Sequence, residues 1–369
     1  METFLIDRWC LLRINCEDGT QGIGEAGAHA WPAQTAGVIE HMSRYLIGKH
    51  ADAIEHHSQF LQRSMHFSGA LLAGAISAID IALWDIKGRH LGVPIYDLMG
   101  GKTRDKVRCY IHVHGDSTDE LVADAVAKRR AGFTALRFSP FKPDFYLRQS
   151  FEGWVRDAVE RVAAVHEAVG HDADLCIELH RQMTPAESIA LAQRLRQFHP
   201  YFYEDPMRPD SPEGMADIQR RSELPIATGE RYTSIYQFEA LLKHGGCDYI
   251  RPDLCLCLGL SGSKKAAALA EAHHVNVIPH NPLSPVSTAA CVQLDACIPN
   301  FALQEYTDES RPPQSKLLKQ ALKLESGYLI VPDRPGLGIE LDEAMLCSLP
   351  PSNAEPFCPI GYDGSVQDW

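Results

Sequence analysis

Residues 174–183 read DLCIELHRQM. Leu175, Cys176 and Ile177 run into Glu178 and His180, the pattern of a buried strand that ends in charge. Side chains on a strand alternate faces, so the spacing predicts Glu178 and His180 on one side, roughly 7 Å apart. Two such groups are either a satisfied pair in a core or part of a site. The rest of the chain decides between them.

Seven further runs have the same form: CYIHVH from 109, TALRFS from 134, YFYED from 201, PIATGE from 225, DYIRPD from 248, VNVIPH from 275 and FALQEY from 301. With Glu178, Glu204, Glu230, Asp253, His280 and Glu305 as markers, the intervals are 26, 26, 23, 27 and 25 residues. One strand and one helix fill such a step. His112 to Arg137 is also 25 residues, whereas Arg137 to Glu178 is 41, so an added loop is predicted within SPFKPDFYLRQSFEG at 139–153. Helix signals separate the runs. In TPAESIALAQRLRQF, Thr184 caps, Pro185 suits the first helical position, and Glu187 completes a capping box ahead of Leu191, Leu195 and Phe198. Repeated strand–helix units with apolar strands predict a parallel eight-stranded α/β barrel, with a doubly wound sheet as the alternative.

Residues 1–103 differ. RWCLLRINCEDGTQGIGEAG predicts a hairpin around an Asp-Gly turn, and helical patterns follow it. This predicts an α+β capping module at 1–103, a barrel at 104–322, and a turn-rich segment at 323–369 that returns to the module.

Composition narrows the partners. The chain has 369 residues, 45% of them hydrophobic, and a formal net charge of −13. An acidic surface disfavours nucleic acid and anionic membranes, leaving small molecules. The longest uncharged apolar stretch, FSGALLAGAISAI at 67–79, is too short to span a bilayer, and no signal peptide opens the chain. Eleven cysteines without a C-x-x-C pair fit a reduced, cytoplasmic setting.

In such a barrel the site forms at the C-terminal strand ends, where this sequence places its charges. One charged strand end is ordinarily a salt bridge or a cap. Six converging on one mouth would repel without a metal or ligand. Glu178, Glu204 and Glu230 form an all-oxygen set that suits a hard cation, Mg²⁺ first. Periodicity leaves open whether Glu204 or its neighbour Asp205 faces inward. Asp205 and Arg231 read as supporting residues, with Arg231 a candidate substrate contact at the rim. On the opposite side, Asp253 can fix the tautomer of His280 and make it a general base, and His180 can serve as an acid. A cation, a base and an acid suit proton abstraction beside a carboxylate, followed by loss of a β-hydroxyl.

At this point the sequence resembles the enolase superfamily in its mandelate racemase branch, in particular its acid-sugar dehydratases. The carriers are AISAIDIALWDIKGRHLGVPIYDLMGG at 75–101, then FYEDP, IATGER, IRPDLCLCLGLSG, VIPHNPLSPVSTAAC and LQEY, in order and spacing. The resemblance implies a capped barrel and a Mg²⁺-dependent dehydratase that converts a sugar acid, aldonate or aldarate, to its 2-keto-3-deoxy product. It further implies Glu178, Glu204 and Glu230 as metal ligands, His280 with Asp253 as the base, His180 as the acid and Glu305 beside the enediolate. Arg137 and Tyr146 resemble catalytic groups of the mannonate-type relatives, His112 a substrate contact, and His29 and Trp31 a cap loop over the polyol end. Homo-oligomers are common in the family. Three departures stand out: Glu178 replaces the usual Asp, Arg137 stands where racemases carry lysine, and Asp253 where muconate-type enzymes carry lysine. The last two favour dehydration over racemisation or epimerisation, which remains the alternative along with a low-turnover acid-sugar-binding paralogue.

Overall fold

Three antiparallel strands open the chain: β1 (Glu2–Ile6), β2 (Trp9–Asn15) and β3 (Gln21–Ala26). The structure, a computed structural model, describes all residues except 29–30, 148–149, 347–349, 353–354, 356 and 369. The hairpin expected around Asp18-Gly19 is present, with Gly19 at φ +87°, and β1 adds to its outer edge. Behind the sheet lies the 22-residue helix Ala70–Leu91, almost wholly apolar because both of its sides are covered. β3 packs closely on it through Gly22 and Gly24. A Cβ at either would stand 2.1 or 2.0 Å from the carbonyl oxygens of Ala82 and Ala78.

The other side of this helix meets the barrel. Ser261 N donates to Asp80 Oδ1 at 3.0 Å, and Trp84 Nε1 donates to Ser261 Oγ at 2.9 Å. Asp85 receives Ile23 N from the cap sheet and Leu337 N from the C-terminal segment. The long signature motif therefore codes for the helix that joins cap, barrel and tail.

Each of the eight predicted runs contains a strand: β4 (Lys106–His112), β5 (Ala135–Phe138), β6 (Asp174–Glu178), β7 (Phe202–Glu204), β8 (Ile226–Thr228), β9 (Tyr249–Ile250), β10 (Asn276–Val277) and β11 (Gln304–Tyr306). They pair in parallel in sequence order from β4 to β10, β11 pairs with β4, and a bridge from Val277 to Phe301 joins β10 to the run before β11. The sheet thus closes into a barrel, and the doubly wound alternative is excluded. Inside it, Tyr110, Ala135, Cys176, Phe202, Ala227, Ile278 and Leu303 form one packed apolar layer below the charged strand ends.

Helix termini follow the sequence signals. Thr184 and Glu187 form the reciprocal capping box of helix Pro185–Leu195, and Gly170 ends helix Phe151–Val169. After β11 the segment Tyr328–Ile330 pairs antiparallel with β4, residues 336–346 then run back along the cap, and Pro351 bridges Asp7.

Candidate active site

The strand ends place the charges together. Glu178 closes β6 and Glu204 closes β7, in register with each other. Glu230 follows β8 after Gly229, whose φ of +120° turns the chain. Beyond β9 and β10 come Asp253 and His280, joined by their own parallel bridge, and Glu305 lies within β11. His112 and Arg137 are in register on β4 and β5. All five carboxylates are buried.

Glu204 is the inward member of its pair with Asp205. Its oxygens receive Arg137 Nε at 2.9 Å and Arg251 Nη2 at 2.8 Å. Asp205 turns to Thr228 Oγ1 at 2.7 Å and Arg181 Nη1 at 2.9 Å, which orders the loop after β6. Arg181 also contacts Glu230, and Arg137 also contacts Glu178. Arg251 is fully buried and reaches Glu305 Oε2 at 2.9 Å. Glu305 further accepts from Asn281 N at 2.9 Å and meets His112 Nε2 at 2.7 Å. Burial alone would raise the Glu305 carboxyl, but Arg251 and His112 hold it well below its usual range.

His280 Nδ1 lies 2.9 Å from Asp253 Oδ2, so the carboxylate holds the Nδ1 proton and leaves Nε2 toward Glu230, 3.5 Å from its Oε2. Burial would depress this imidazole, yet the Glu230 carboxylate and the Asp253 hydrogen bond raise it to about 9. His180 behaves oppositely. Burial and the adjacent Arg181 lower it to about 3, and Arg181 Nη2 donates to its Nε2 at 3.0 Å.

The strand expected through His180 stops at Glu178. His180 and Arg181 adopt positive φ, 51° and 66°, a left-handed turn that side chains rarely occupy. The turn, not strand alternation, aims His180 at the mouth. A cavity of about 610 Å³ opens there, lined by His112, Arg137, Tyr146, Glu178, His180 and Gln182. Its size suits a small polyhydroxy acid.

Other expected contacts fall elsewhere. Arg231 is exposed, and Trp31 is 54% exposed at the start of helix Pro32–Leu46. His29 lies outside the described residues. Spacing did not single out two residues of this cluster, Arg181 and Arg251. The alternation rule could have found Arg251, which shares the strand face of Asp253 two residues on.

Among the described residues, no three His, Cys, Asp or Glu side chains converge as a metal-ligand set. Glu178, Glu204 and Glu230 stand at neighbouring strand ends but are closed on guanidinium groups, with Arg137 bridging the first two. In type and place they nonetheless fit a hard cation. All are buried carboxylates on neighbouring strands, an all-oxygen donor set of the kind such a cation takes.

Comparison with known proteins places this arrangement. The profile of the mandelate racemase / muconate lactonizing enzyme N-terminal domain matches residues 1–100, and that of the enolase C-terminal-domain-like family matches residues 120–345. The chain is 33% identical over 371 residues to a D-galactonate dehydratase of Ralstonia pickettii, covering 98% of this chain and 97% of that protein. It is 33% identical over 373 residues to another from Verminephrobacter eiseniae, with the same coverage. Among solved structures, an enolase from Agrobacterium radiobacter with sodium and L-malate bound superposes with a TM-score of 0.94 at 29% identity, over 100% of this chain and 98% of that one. A mandelate racemase/muconate lactonizing enzyme-like protein from a Roseovarius species gives a TM-score of 0.89 at 31% identity, over 95% and 94%. Members of this superfamily bind a divalent metal. The chain belongs to the mandelate racemase / muconate lactonizing enzyme family of the enolase superfamily.

Proposed function

We propose that this protein is a sugar acid dehydratase, a hydro-lyase that acts on an aldonate or aldarate with Mg²⁺ and forms the 2-keto-3-deoxy acid. The observation that carries the reading is the His280–Asp253 pair beside Glu230, at strand ends that also carry Glu178 and Glu204, with a 610 Å³ cavity opening at Glu178 and His180. The resemblance to D-galactonate dehydratases over nearly the whole chain supports it.

Glu178, Glu204 and Glu230 would hold the cation, which supplies charge stabilisation to the substrate carboxylate when bound. His280 Nε2 takes the C2 proton while Asp253 holds Nδ1. For this His280 must be neutral, so its raised affinity for a proton has to fall as the charge of Glu230 is engaged elsewhere. The C3–O bond then breaks, His180 delivers the proton that makes the leaving hydroxyl water, and the enol takes a proton at C3 to become the ketone. Arg137, freed from Glu178 and Glu204, Tyr146 and His112 face the same cavity and orient the substrate, with Glu305 behind His112 at 2.7 Å.

One observation favours a second reading. The hydrogen bond from Arg181 to His180 Nε2 leaves that nitrogen without a proton to give. If the contact persists with substrate bound, the C3 hydroxyl receives no proton and the enediolate is reprotonated at C2 by His280 or, from the other face, by solvent, so exchange and epimerisation at C2 replace dehydration. Incubation with a panel of aldonic and aldaric acids and Mg²⁺ tests both. A 2-keto-3-deoxy product supports dehydration, whereas solvent deuterium at C2 without loss of water supports epimerisation. A cytoplasmic location and a homo-oligomeric state belong to the same proposal. No helix among the described residues is long and apolar enough to cross a membrane.

A further inference from the structure

Glu25 is a fully buried carboxylate on β3 of the cap, and it plays no part in the reaction proposed above. Its oxygens accept from Ser284 Oγ at 2.6 Å, Ser284 N at 3.2 Å and Ser287 N at 3.1 Å. Those donors belong to the first turn of the barrel helix Pro285–Cys297, four to seven residues after His280. Its carboxyl sits at a helix N-terminus, and burial raises it to about 8 even though Ser284 and Ser287 donate to it.

Two residues further along the same cap segment, Gly27 N donates to Cys255 O at 2.6 Å, two residues after Asp253. The approach is close enough that a Cβ at Gly27 would stand 2.8 Å from the Cys255 carbonyl carbon and 3.1 Å from Asp253 Oδ1. Asp253 is further held by Cys255 N, which donates to its Oδ1 at 2.8 Å. One cap segment is therefore fastened on both sides of the pair: through Glu25 to the loop that carries His280, and through Gly27 to the loop that carries Asp253.

We infer that the cap aligns the general base, with Glu25 and Gly27 as positioning residues that set the His280–Asp253 geometry. This rests on the proposal that His280 takes the C2 proton. The barrel ties the two loops to each other through the Asp253–His280 bridge and to Glu305 through Asn281 N, so the cap sets their finer alignment, and a shift of about 1 Å at a reacting group can cost about a hundredfold in rate.

The test uses Glu25→Ala, Glu25→Gln and Gly27→Ala in the full chain, each checked by circular dichroism. Two readouts are needed. In amide hydrogen exchange, Glu25→Ala should speed exchange in residues 280–287, and Gly27→Ala in residues 253–257, by about tenfold or more, with strands β5 to β7 unchanged. In turnover, both should lower kcat about tenfold to a hundredfold with KM within about threefold, and Glu25→Gln, whose amide oxygen still accepts from Ser284 and Ser287, should recover most of it. Unchanged exchange in both segments overturns the inference, as does loss of kcat and KM in equal measure without rescue by glutamine. If Glu25→Ala does not fold, Gly27→Ala and Glu25→Gln decide alone. If the wild type turns over no sugar acid, the functional proposal fails, while the exchange measurement still decides the fastening.

Discussion

Replacing Arg251 by methionine probes how the buried charges are balanced. Arg251 is fully buried, with Nη2 2.8 Å from Glu204 and 2.9 Å from Glu305 and the guanidinium 5.8 Å from the Tyr110 ring centre. Methionine keeps the length of the apolar stem and removes the charge. Glu204 retains Arg137 at 2.9 Å, and Glu305 retains Asn281 N and His112, so neither carboxylate is left bare. Two buried charge-assisted hydrogen bonds are lost, each about 1.5–3 kcal/mol, so the cost is about 3–5 kcal/mol in metal-free protein near neutral pH. The sign of the pH dependence follows from Glu305. Burial would raise its carboxyl, and Arg251 holds it well below normal. A depressed carboxylate contributes stability that is present above its unfolded value of about 4.3 and is lost as pH falls through the folded value. Methionine abolishes most of that contribution, so the deficit is full above about pH 4.3 and narrows only as pH falls below it. Urea unfolding with a chelator present, followed by circular dichroism at several pH values, measures it. A deficit under about 1 kcal/mol, or one independent of pH, would refute the assignment of Arg251 as the central counter-charge.

Other outcomes follow from the same geometry. His280→Asn should cost about 10²–10⁴ in turnover while leaving the fold intact, measured by initial rates and circular dichroism. In metal-free protein the raised His280 contributes stability fully below its unfolded value of about 6.5, and loses it as pH rises through about 9. His280→Gln should remove this loss, about 3 kcal/mol between the two limits, from the unfolding curve. His180→Gln should slow release of water while exchange of the C2 proton with solvent continues, read by NMR in deuterated water. Glu230→Gln should weaken Mn²⁺ binding about tenfold or more in calorimetry, because one of three hard oxygen charges is lost.

The barrel was legible because its period is physical: each strand–helix step needs a similar length, and each strand is apolar until it reaches the mouth. The long interval between Arg137 and Glu178 does contain the extra loop, with a short 3₁₀ turn at Phe145–Leu147. Tyr146, in that turn, lines the cavity. Alternation failed at DLCIELHRQM because the strand ends at Glu178 and the chain enters a left-handed turn, which no periodicity encodes. It was silent on Glu204 against Asp205, since neighbours on a strand face opposite sides and both are charged. Arg181 carries no signal, because its place depends on that same turn. Glu25 was hidden for another reason: its partners lie more than 250 residues away, and nothing local marks a cap strand as a barrel contact. Arg231 reads as a rim contact but is turned to solvent, while Arg181 and Arg251 supply positive charge within the site.

The central claim is that His280, His180 and the three glutamates carry out dehydration of a sugar acid. The most direct measurement is ¹H NMR of galactonate and other aldonic and aldaric acids incubated in deuterated water with the protein and Mg²⁺, with and without chelator. The account predicts a 2-keto-3-deoxy product deuterated at C3, formed only when the metal is present. Deuterium at C2 with no loss of water, or no change in any acid of the panel, would contradict it.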